Sequence, residues 1–358
     1  MREKITYAKA GVDRATRAEA KMALETLKQT FKCSFYGDIL QLPFGTIFPL
    51  GSDNYLDLCI EGVGTKVLLA QLANKFDTIG IDGIAMAVND VIRSGAKPLA
   101  IADNIHAHKS DPWLVKEWMK GIARGALESQ CIVSGGEIGD VAEIIKGVKE
   151  DKAFDLIVAC IGEVAKKRII FGNDIHPKDV VIGLRSSGLH SNGITLAKRI
   201  LFKEWGGAFE AHDIPNGFDK ELILEALEPT KIYVKSLLRV MAQYKIKGAV
   251  HITGDAYLKF SRLMEFSKKI GFLLDNFNPQ PIFGLVKLAA ERLGGIDDEE
   301  MFKTFNMGWG FAIIVDKKER DAILDILDKE QVGAEPIGEV TSSRRIVITH
   351  EEKSLVLM

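Results

Sequence analysis

The chain has 358 residues, of which 47% are hydrophobic and 27% are charged, and its formal net charge at pH 7 is −2. This composition is typical of a folded globular protein and excludes a mainly disordered chain. The near-neutral charge gives no reason to expect a nucleic-acid partner. The longest apolar runs are far shorter than the ~20 residues that span a bilayer, and the length favours two domains over one.

Four cysteines stand far apart in the sequence, and no two of them form a CxxC pair. A zinc cluster is therefore not predicted, and the cysteines are interpreted as small apolar side chains in a reducing compartment. The first residues, MREKITYAKAGVDR, lack the apolar core of a secretory signal. We therefore expect a cytoplasmic protein without a membrane partner. Oxygen-ligated Mg²⁺ is compatible with these features.

The first half of the chain predicts helices and strands around one irregular stretch. Apolar residues recur at helical spacing after Asp13, which predicts a helix over residues 13–31. Glycines and prolines over residues 34–54 predict an ordered loop. The other elements expected in this half are strands at 55–60, 98–103, 132–133 and 155–164, and helices after residue 66, at 79–94 and at 111–130.

A connector over residues 171–179 separates this half from the second, which begins with an apolar strand at 180–184. The later predicted elements are helices ending near 198 and at 231–242, 281–293 and 318–329, strands at 249–252, 271–275 and 310–315, a loop and helix over 254–269, and two edge strands that end the chain. Strands and helices mix in both halves without strict βαβ alternation. We therefore expect an α+β fold with two mixed α/β domains, residues 1–168 and residues 169–358.

A glycine-rich turn, GVGTK at 62–66, joins a predicted strand to a predicted helix. Glycines allow a backbone to approach an anion closely, a helix N-terminus offers free N–H groups, and Lys66 adds a positive charge. The turn differs from the Walker pattern GxxxxGK[ST]. The alternative interpretation is a tight strand-to-helix turn that binds nothing, and the turn by itself favours that alternative.

Several carboxylates stand in apolar or glycine-rich surroundings. Asp82 and Asp90 are eight residues apart, which places both on one face of the predicted helix. Buried carboxylates are costly unless they are paired or bound to a metal, and Mg²⁺ prefers oxygen ligands beside nucleotide phosphates. The candidate set is Glu61, Asp82, Asp90, Asp103 and Glu137. The competing interpretation for each is an exposed acid or a helix cap.

Two further strand-to-helix loops are rich in small hydrogen-bonding residues. The loop SSGLHSNG at 186–193 suits a phosphate or a substrate edge rich in acceptors, and its His190 can move a proton near neutral pH. The string HITG at 251–254 is a second such loop. A hydrogen bond that orders the loop is the competing role for His190. Together with the acids, these loops indicate an enzyme that uses ATP and Mg²⁺, and they do not identify the acceptor.

Taken in order along the chain, these segments resemble the phosphoribosylformylglycinamidine cyclo-ligase family, also called aminoimidazole ribonucleotide synthetases. The strings that carry the resemblance are YAKAGVD at 7–13, GVGTK at 62–66, DTIGID at 77–82, AMAVND at 85–90, SGGE at 134–137, SSGLHSNG at 186–193, EPTKIYVKS at 228–236, HITG at 251–254 and TFNMGWGF at 304–311. GVGTK and SGGE also occur in relatives across the wider ATP-binding superfamily. AGVD, EPTKIYVKS and TFNMG are more specific to the cyclo-ligases.

The resemblance implies a homodimer in which N-terminal strands form a shared barrel at the interface, with ATP bound close by. It also implies the ATP-dependent ring closure of formylglycinamidine ribonucleotide to aminoimidazole ribonucleotide, with release of ADP and phosphate, in purine biosynthesis. The implied catalytic residues are His190, Lys66 and Asp103, and the implied Mg²⁺ ligands are Asp90, Glu137 and Glu61. The implied nucleotide- and substrate-binding residues are Gly62, Gly64, Thr65, Lys66, Asp82, Asn89, Ser191, Asn192, Gly193, Thr253 and Gly254.

Three positions depart from the family pattern. Glu61 stands where the family usually has Asp before GVGTK, IGD at 138–140 lacks the Thr and Met-Pro that usually follow GGE, and HITGDA replaces HITGGG. The added Asp255 repels a phosphate unless Mg²⁺ or Lys259 compensates for its charge. These changes leave open a related ATP-dependent kinase or synthetase of the same superfamily, and a degenerate nucleotide-binding scaffold.

Overall fold

The computed structural model describes residues 3–358 and has a mixed α/β fold with two sheets. The strands are β1 (Leu40–Leu42), β2 (Gly45–Leu50), β3 (Asn54–Gly62), β4 (Lys97–Ala107), β5 (Ile132–Asp140), β6 (Phe154–Ala165), β7 (Val180–Arg185), β8 (Gly248–His251), β9 (Gly271–Leu274), β10 (Trp309–Val315), β11 (Ala334–Thr341), β12 (Ile346–His350) and β13 (Lys353–Val356). The α-helices are α1 (Arg14–Lys21), α2 (Lys66–Ala73), α3 (Ile79–Ile92), α4 (Pro112–Ser129), α5 (Ile194–Leu201), α6 (Leu222–Ala226), α7 (Val234–Gln243), α8 (Phe260–Phe266), α9 (Pro281–Ala290), α10 (Asp298–Thr304) and α11 (Arg320–Lys329). Among the described residues, no helix has both the length and the apolar character needed to cross a bilayer.

The two sheets divide the chain between Ala165 and Val180. The first sheet has the order β1-β2-β3-β6-β4-β5, and the second has the order β13-β12-β9-β11-β7-β10-β8. In the first sheet, β1 and β5 are edge strands, so the described chain forms an open sheet and no closed barrel. The predicted boundary between residues 168 and 169 lies in the connection between the sheets and stays a prediction.

The expectation of an irregular loop over residues 34–54 was wrong, because β1 and β2 form a hairpin there. Leu42 pairs with Gly45, so the chain turns at Pro43 and Phe44. β2 then pairs with β3 and extends the sheet. The glycines and prolines of this segment mark the turns between short strands, and their density hides the alternation of the strands from a reading of the sequence.

The expectation of two edge strands at the end of the chain was also wrong. Three strands follow α11, and β11 lies inside the second sheet between β9 and β7. Its pairing with β7 shifts register between Pro336 and Gly338. This irregularity interrupts the alternation of side chains, which is the signal that would have indicated an interior strand.

Helix α3 is the central element of the molecule. Every residue of α3 is buried, because the helix packs on β3, β4 and β6 on one side and approaches α7 of the second half on another. It is therefore surrounded by protein along its whole length, and its polar side chains must find partners there. Its position between the two halves places Asp82, Asn89 and Asp90 at the boundary between them.

The face of the first sheet opposite to α3 has no cover in the described chain. Leu58 pairs with Ile161, Ile161 pairs with Ala100, and Ala100 pairs with Ile132, which gives one apolar row across four strands. Leu58 is 59% exposed and Ile132 is 66% exposed. Contiguous exposed apolar surface of this kind marks an interaction site. We call this surface the open face.

The N-terminal segment lies against the second half of the chain. The predicted helix over residues 13–31 is observed as α1 followed by a 3₁₀-helix over Met22–Cys33, and neither contains a buried residue. Before α1, the Ile5 N–H donates to the Gly295 carbonyl at 3.0 Å. The Tyr7 N–H donates to Glu300 Oε1 at 3.2 Å. These first residues therefore contact the second half of the chain, although the predicted N-terminal domain, residues 1–168, includes them. Their assignment to that domain stays a prediction.

The crossing of α3 and α4 depends on two glycines, and a substitution tests it. A Cβ on Gly80 would lie 2.2 Å from the Ile122 nitrogen and 2.5 Å from the Gly121 carbonyl carbon. Because both atoms belong to the backbone of α4, we expect Gly80→Ala to lower the free energy of unfolding by about 3 kcal/mol. The matched control is Gly284→Ala in α9, where nothing lies within 4 Å of the new Cβ. That variant should gain ~0.5–1 kcal/mol. Urea denaturation measures both, and an equal response of the two variants would contradict the tight crossing.

Candidate active site

The glycine turn joins a strand to a helix, as the sequence predicts. β3 ends at Gly62 and α2 begins at Lys66. Gly64 has a φ of +68°, a left-handed conformation that favours glycine. Thr65 occupies the N-cap position of α2, but its Oγ1 lies 2.9 Å from Thr195 Oγ1 and does not cap the helix. The turn therefore lies against the start of α5 in the second half of the chain.

A buried ion pair links Lys66 to Asp82 of α3. Lys66 Nζ lies 2.8 Å from Asp82 Oδ1, and both side chains are fully buried. Lys66 Nζ also donates to the Glu228 carbonyl at 2.7 Å. The same Asp82 oxygen accepts from Ser191 Oγ at 3.1 Å and from the N–H and Oγ1 groups of Thr230, each at 2.7 Å. The ammonium group is therefore fixed inside the protein, and Asp82 Oδ2 is left buried without a partner.

Asn89 forms a second link from α3 to the other half. Its Nδ2 donates to the Lys231 carbonyl at 2.9 Å, and its Oδ1 accepts from the Tyr233 N–H at 3.0 Å. Both partners belong to the string EPTKIYVKS, so this string runs along α3. The structure thus gives Asp82 and Asn89 partners within the protein. Their contacts with a nucleotide or substrate stay a prediction.

Asp90 belongs to a second charged centre on α3, about 12 Å from Asp82 at the ~1.5 Å rise per residue of a helix. Its Oδ1 lies 2.9 Å from Arg93 Nη1 and 2.8 Å from His251 Nδ1. Burial opposes the ionisation of Asp90, but the cation of Arg93 and the hydrogen bond from His251 hold its pKa below the usual range. These contacts favour the ionised form of Asp90. Among the described residues, His251 Nε2 is buried without a hydrogen-bond partner.

Glu61 lies beside Asp90 and fits a cation site. The ligand atoms of Cys59, Glu61 and Asp90 lie within 4.8 Å of one another. Burial, followed by the negative charge of Asp90, raises the pKa of Glu61 to about 7. A divalent cation between the two carboxylates would relieve this repulsion, and hard oxygen ligands suit Mg²⁺. The Cys59 thiol does not suit it, because Mg²⁺ prefers oxygen and burial raises the pKa of the thiol.

Glu137 and Asp103 do not join this pair. β5 continues well beyond the predicted strand at 132–133, and Glu137 pairs with Asn104 of β4. Side chains alternate between the faces of a strand, so Glu137 lies on the open face whereas Glu61 faces α3. Asp103 lies on the α3 side of β4, and burial raises its pKa. The carboxylates predicted to share one Mg²⁺ therefore form no single site among the described residues.

His190 is fully buried in the loop before α5 and has a φ of +60°. Its Nε2 accepts a hydrogen bond from the Ser187 N–H at 3.1 Å, which assigns the ring proton to Nδ1. Burial lowers the pKa of His190 well below its usual value, so the ring is neutral. Nδ1 has no partner in the described protein. The ring therefore holds one N–H group without a hydrogen bond in the described protein, and it lies beside Gly310, where an added Cβ would be 3.1 Å from Nδ1.

The two predicted substrate loops meet each other. Asn192 Oδ1 lies 3.6 Å from the position of a Cβ on Gly254. Gly193 precedes α5 with a φ of +72°, which allows the loop to enter the helix sharply. Lys259 Nζ contacts Thr253 Oγ1 and donates to the His251 carbonyl at 3.2 Å. The loops at 186–193 and 251–254 are thus brought together, as one shared site requires.

Asp255 is compensated by the N-terminal helix, a partner that the sequence reasoning did not consider. Arg17 Nη2 lies 2.9 Å from each carboxylate oxygen, and Arg14 Nε lies 3.5 Å from Oδ1. Asp255 and Ala256 have φ values of +68° and +39°, where L residues are strained. Asp255 and Ala256 thus replace two glycines of HITGGG but keep a backbone conformation that favours glycine. The carboxylate that Asp255 adds is paired with Arg14 and Arg17.

Sequence reasoning missed three polar residues of these centres: Arg93, Asn104 and His251. Arg93 follows Asp90 by three residues, which is an ion-pair spacing on a helix. His251 stands in the HITG string, but its hydrogen bond to Asp90 joins residues that are 161 positions apart in the chain. Asn104 Oδ1 is buried without a partner on the open face. Only the register of β4, β5 and β6 shows that this group is beside Glu137.

The chain is similar in sequence and in fold to known proteins. Residues 45–164 match the family model of the AIR synthase related protein N-terminal domain, and residues 176–351 match that of the C-terminal domain. The fold is similar to a chain in the crystal structure of the HypE–HypF complex, with a TM-score of 0.62 and 17% identity over 95% of this chain and 98% of that chain. It is also similar to T. maritima PurL complexed with ATP, with a TM-score of 0.55 and 13% identity over 86% of this chain and 44% of that chain. The chain thus spans less than half of PurL. The matches to the two family models define the class as AIR synthase-related.

Curated relatives narrow the class. The phosphoribosylformylglycinamidine cyclo-ligase of Methanocaldococcus jannaschii is 37% identical over 99% of both chains. That of Pyrococcus horikoshii is 40% identical over 91% of this chain and 92% of its own. The chain therefore belongs to the phosphoribosylformylglycinamidine cyclo-ligase family, which confirms the resemblance seen in the sequence motifs.

The buried pair Lys66–Asp82 makes a thermodynamic prediction. Asp82→Leu leaves the ammonium group of Lys66 buried and unpaired, so we expect the free energy of unfolding to fall by about 3–5 kcal/mol. Adding Lys66→Met removes the orphaned charge and should recover at least ~1 kcal/mol relative to Asp82→Leu alone. Urea denaturation of the two single variants and the double variant measures the coupling. Simple addition of the two single losses would show that Lys66 and Asp82 do not stabilise each other as an ion pair.

Proposed function

We propose that the chain catalyses the ATP-dependent ring closure of formylglycinamidine ribonucleotide to aminoimidazole ribonucleotide, with release of ADP and phosphate, in purine biosynthesis. The observation that carries the proposal is similarity over 99% of both chains to a relative named as this cyclo-ligase. The meeting of the predicted loops around α3 supports it. In this reaction the formamide oxygen attacks the γ-phosphorus of ATP and ADP leaves. An intramolecular nitrogen then attacks the activated carbon and loses a proton, and phosphate leaves with the former formamide oxygen.

The protein's part in this chemistry is positioning and charge neutralisation, because two anionic substrates must meet. Lys66 supplies a fixed positive charge beside the glycine turn, where Asp82 holds it. His190 provides an N–H donor at Nδ1 and stays neutral, so it stabilises developing negative charge without carrying charge itself. Asp103 is proposed as a proton-transfer group, since burial raises its pKa above the usual value for an Asp.

Mg²⁺ is proposed as the cofactor, and when bound it neutralises phosphate charge. Glu61 and Asp90 would hold it, because their ligand oxygens lie within 4.8 Å of each other. Arg93 already contacts one oxygen of Asp90, so the other oxygen is the one available. Glu137 lies on the open face, and we propose that it acts at the nucleotide end of a dimer interface.

A homodimer is proposed from the open face. The row of Leu58, Ile161, Ala100 and Ile132 is followed by a second row of small and apolar residues that includes Ile60, which is 68% exposed. A second copy of the same face would cover both rows and complete a barrel of strands from two chains. This occupant is favoured because the face is apolar and belongs to a sheet with free edges.

The proposed ATP site lies at the end of the open face that carries its third row of paired residues. Gly62 pairs with Ile157, Ile157 pairs with Asn104, and Asn104 pairs with Glu137. The glycine turn and the predicted Mg²⁺ ligand Glu137 are therefore at the same end of the sheet. We propose that a nucleotide bound to Gly62, Gly64 and Thr65 lies at this end, close to the interface.

Two further expectations remain part of this proposal. A cytoplasmic location fits the unpaired thiols of Cys59, Cys131 and Cys160. The division into domains at residues 1–168 and 169–358 fits the separation of the two sheets. The proposed substrates are small molecules. The N-terminal segment contacts the second domain at Gly295 and Glu300.

The alternative is a related ATP-dependent kinase or synthetase with another acceptor, or a nucleotide-binding scaffold without activity. The observation that favours it is Asp255, an anion placed where the family pattern has glycine. Assays of ADP release with formylglycinamidine ribonucleotide, thiamine monophosphate and no acceptor separate these functions. ADP release with another acceptor alone would support the sister enzyme, and no ATP binding by calorimetry would support the scaffold.

The proposed function predicts the behaviour of Asp90→Asn. With formylglycinamidine ribonucleotide, ATP and Mg²⁺, the native chain should form ADP and aminoimidazole ribonucleotide in equal amounts. Asp90→Asn removes the negative charge shared by the cation site and Arg93, so we expect turnover to fall at least ~100-fold. Circular dichroism checks that the variant folds, and Glu210→Gln, at an exposed ion pair with Lys203, serves as the control. Normal turnover in Asp90→Asn would remove Asp90 from the site.

The open face predicts the oligomeric state. Sedimentation velocity of the native chain should give a dimer. Ile60→Asp places a charge in the centre of the proposed interface, so we expect a monomer at micromolar concentration. Leu288→Asp is the matched control, because Leu288 is equally exposed at 68% but lies on α9. A dimer that survives Ile60→Asp and dissociates with Leu288→Asp would contradict the assignment.

A further inference from the structure

The first residues of the described chain are held by many polar contacts and by limited apolar packing, in which Ile5 and Tyr7 lie partly buried against the core. We call residues 5–21 the N-terminal strap. Its α1 buries no side chain, and Ala10 is the one hydrophobic residue of the strap that is fully buried. The strap is fixed by backbone hydrogen bonds and by Arg14, which donates to the Lys303 carbonyl at 2.9 Å and to Glu300 at 3.0 Å. A segment with so little apolar burial opens easily when its charged contacts are lost.

The strongest contacts of α1 outside the α10 region go to one residue, Asp255. Arg17 Nη2 donates to both carboxylate oxygens of Asp255, each at 2.9 Å. Arg14 Nε lies 3.5 Å from Asp255 Oδ1. Asp255 is the N-cap of the short 3₁₀-helix Ala256–Lys259, a position where an Asp side chain ordinarily bonds the helix backbone. Its side chain makes no such bond. The carboxylate is turned toward the strap instead.

The same loop carries groups assigned to the site. Thr253 and Gly254 directly precede Asp255, and Lys259 follows it by four residues. Lys259 Nζ contacts Thr253 Oγ1 and is in electrostatic reach of Glu61. A movement of Asp255 therefore displaces both the predicted substrate loop and the buried lysine beside the carboxylates.

We propose that Asp255 is a positioning residue that ties the N-terminal strap to loop 253–259 and so fixes this loop for substrate binding. It acts through Arg14 and Arg17 and does not touch the reacting atoms. The proposal deepens the proposed function, on which its kinetic consequence rests. It also gives a function to Asp255, which stands where the family pattern has glycine.

The physical consequence is a strap whose docking responds to salt. Arg14, Arg17 and Asp255 keep side-chain exposures of 23%, 40% and 33%. Ion pairs that are partly exposed weaken as ionic strength rises. Contacts of the strap to backbone groups, such as that of Ile5 to Gly295, lack this dependence.

Hydrogen–deuterium exchange with mass spectrometry tests the tie without using activity. In Asp255→Asn, amides of residues 5–17 and of residues 253–259 should exchange roughly three- to tenfold faster at low salt, with other peptides unchanged. In the native chain, 0.5 M NaCl should move both peptides toward the rates of the variant. Asp255→Glu keeps the charge and should restore part of the protection, whereas Glu210→Gln should leave both peptides unchanged.

Steady-state kinetics supply the second measurement. Asp255→Asn should raise the KM for formylglycinamidine ribonucleotide about fivefold and change kcat less than twofold, because the loop is loosened and the reacting groups are intact. Unchanged exchange in both peptides would overturn the proposal. Faster exchange with an unchanged KM would overturn the positioning role and leave only a structural tie. Absence of turnover in the native chain would reject the proposed function, and exchange would still decide whether Asp255 ties the strap to the loop.

Discussion

The structure depends on one buried carboxylate oxygen, Asp82 Oδ1. It accepts from Lys66 in the first half of the chain and from Ser191 and Thr230 in the second. A buried carboxylate is costly unless it is paired and hydrogen-bonded, so closure of the two halves on α3 is favoured in the arrangement that supplies these donors. This requirement brings the glycine turn, the His190 loop and the string EPTKIYVKS to the same helix. The positions of the other site residues follow from that closure.

The second centre on α3 shows how charge is balanced around the proposed cation site. Asp90 is held ionised by Arg93 and His251, while burial and Asp90 keep the pKa of Glu61 near neutrality. The negative charge of Asp90 thus opposes a second negative charge on Glu61. Lys259 stands next to this pair and connects it to the loop of Asp255. Lys259 is therefore within electrostatic reach of both the carboxylate pair and Asp255, which contacts the N-terminal strap.

The sequence predicted the long elements and the chemistry-bearing strings well, because both have local signals. The apolar spacing of α3, the cap at Asp111 before α4 and the glycine turn before Lys66 are examples. It missed the hairpin of β1 and β2, where turn residues are denser than strand residues. It could not place Glu137, since the face of a strand depends on register with β4, and register is set by the whole sheet. It could not find the partners of Asp255 either, because Arg17 is 238 residues away in the chain.

The central claim is that ATP activates the formamide oxygen of formylglycinamidine ribonucleotide by phosphoryl transfer in a site built along α3. The most direct measurement uses substrate labelled with ¹⁸O at that oxygen, with mass spectrometry of the phosphate that is released. The account predicts one ¹⁸O atom in each phosphate, formed together with ADP and aminoimidazole ribonucleotide. Unlabelled phosphate formed while the ring closes would contradict it, because the oxygen would then have left by a route that does not involve phosphoryl transfer.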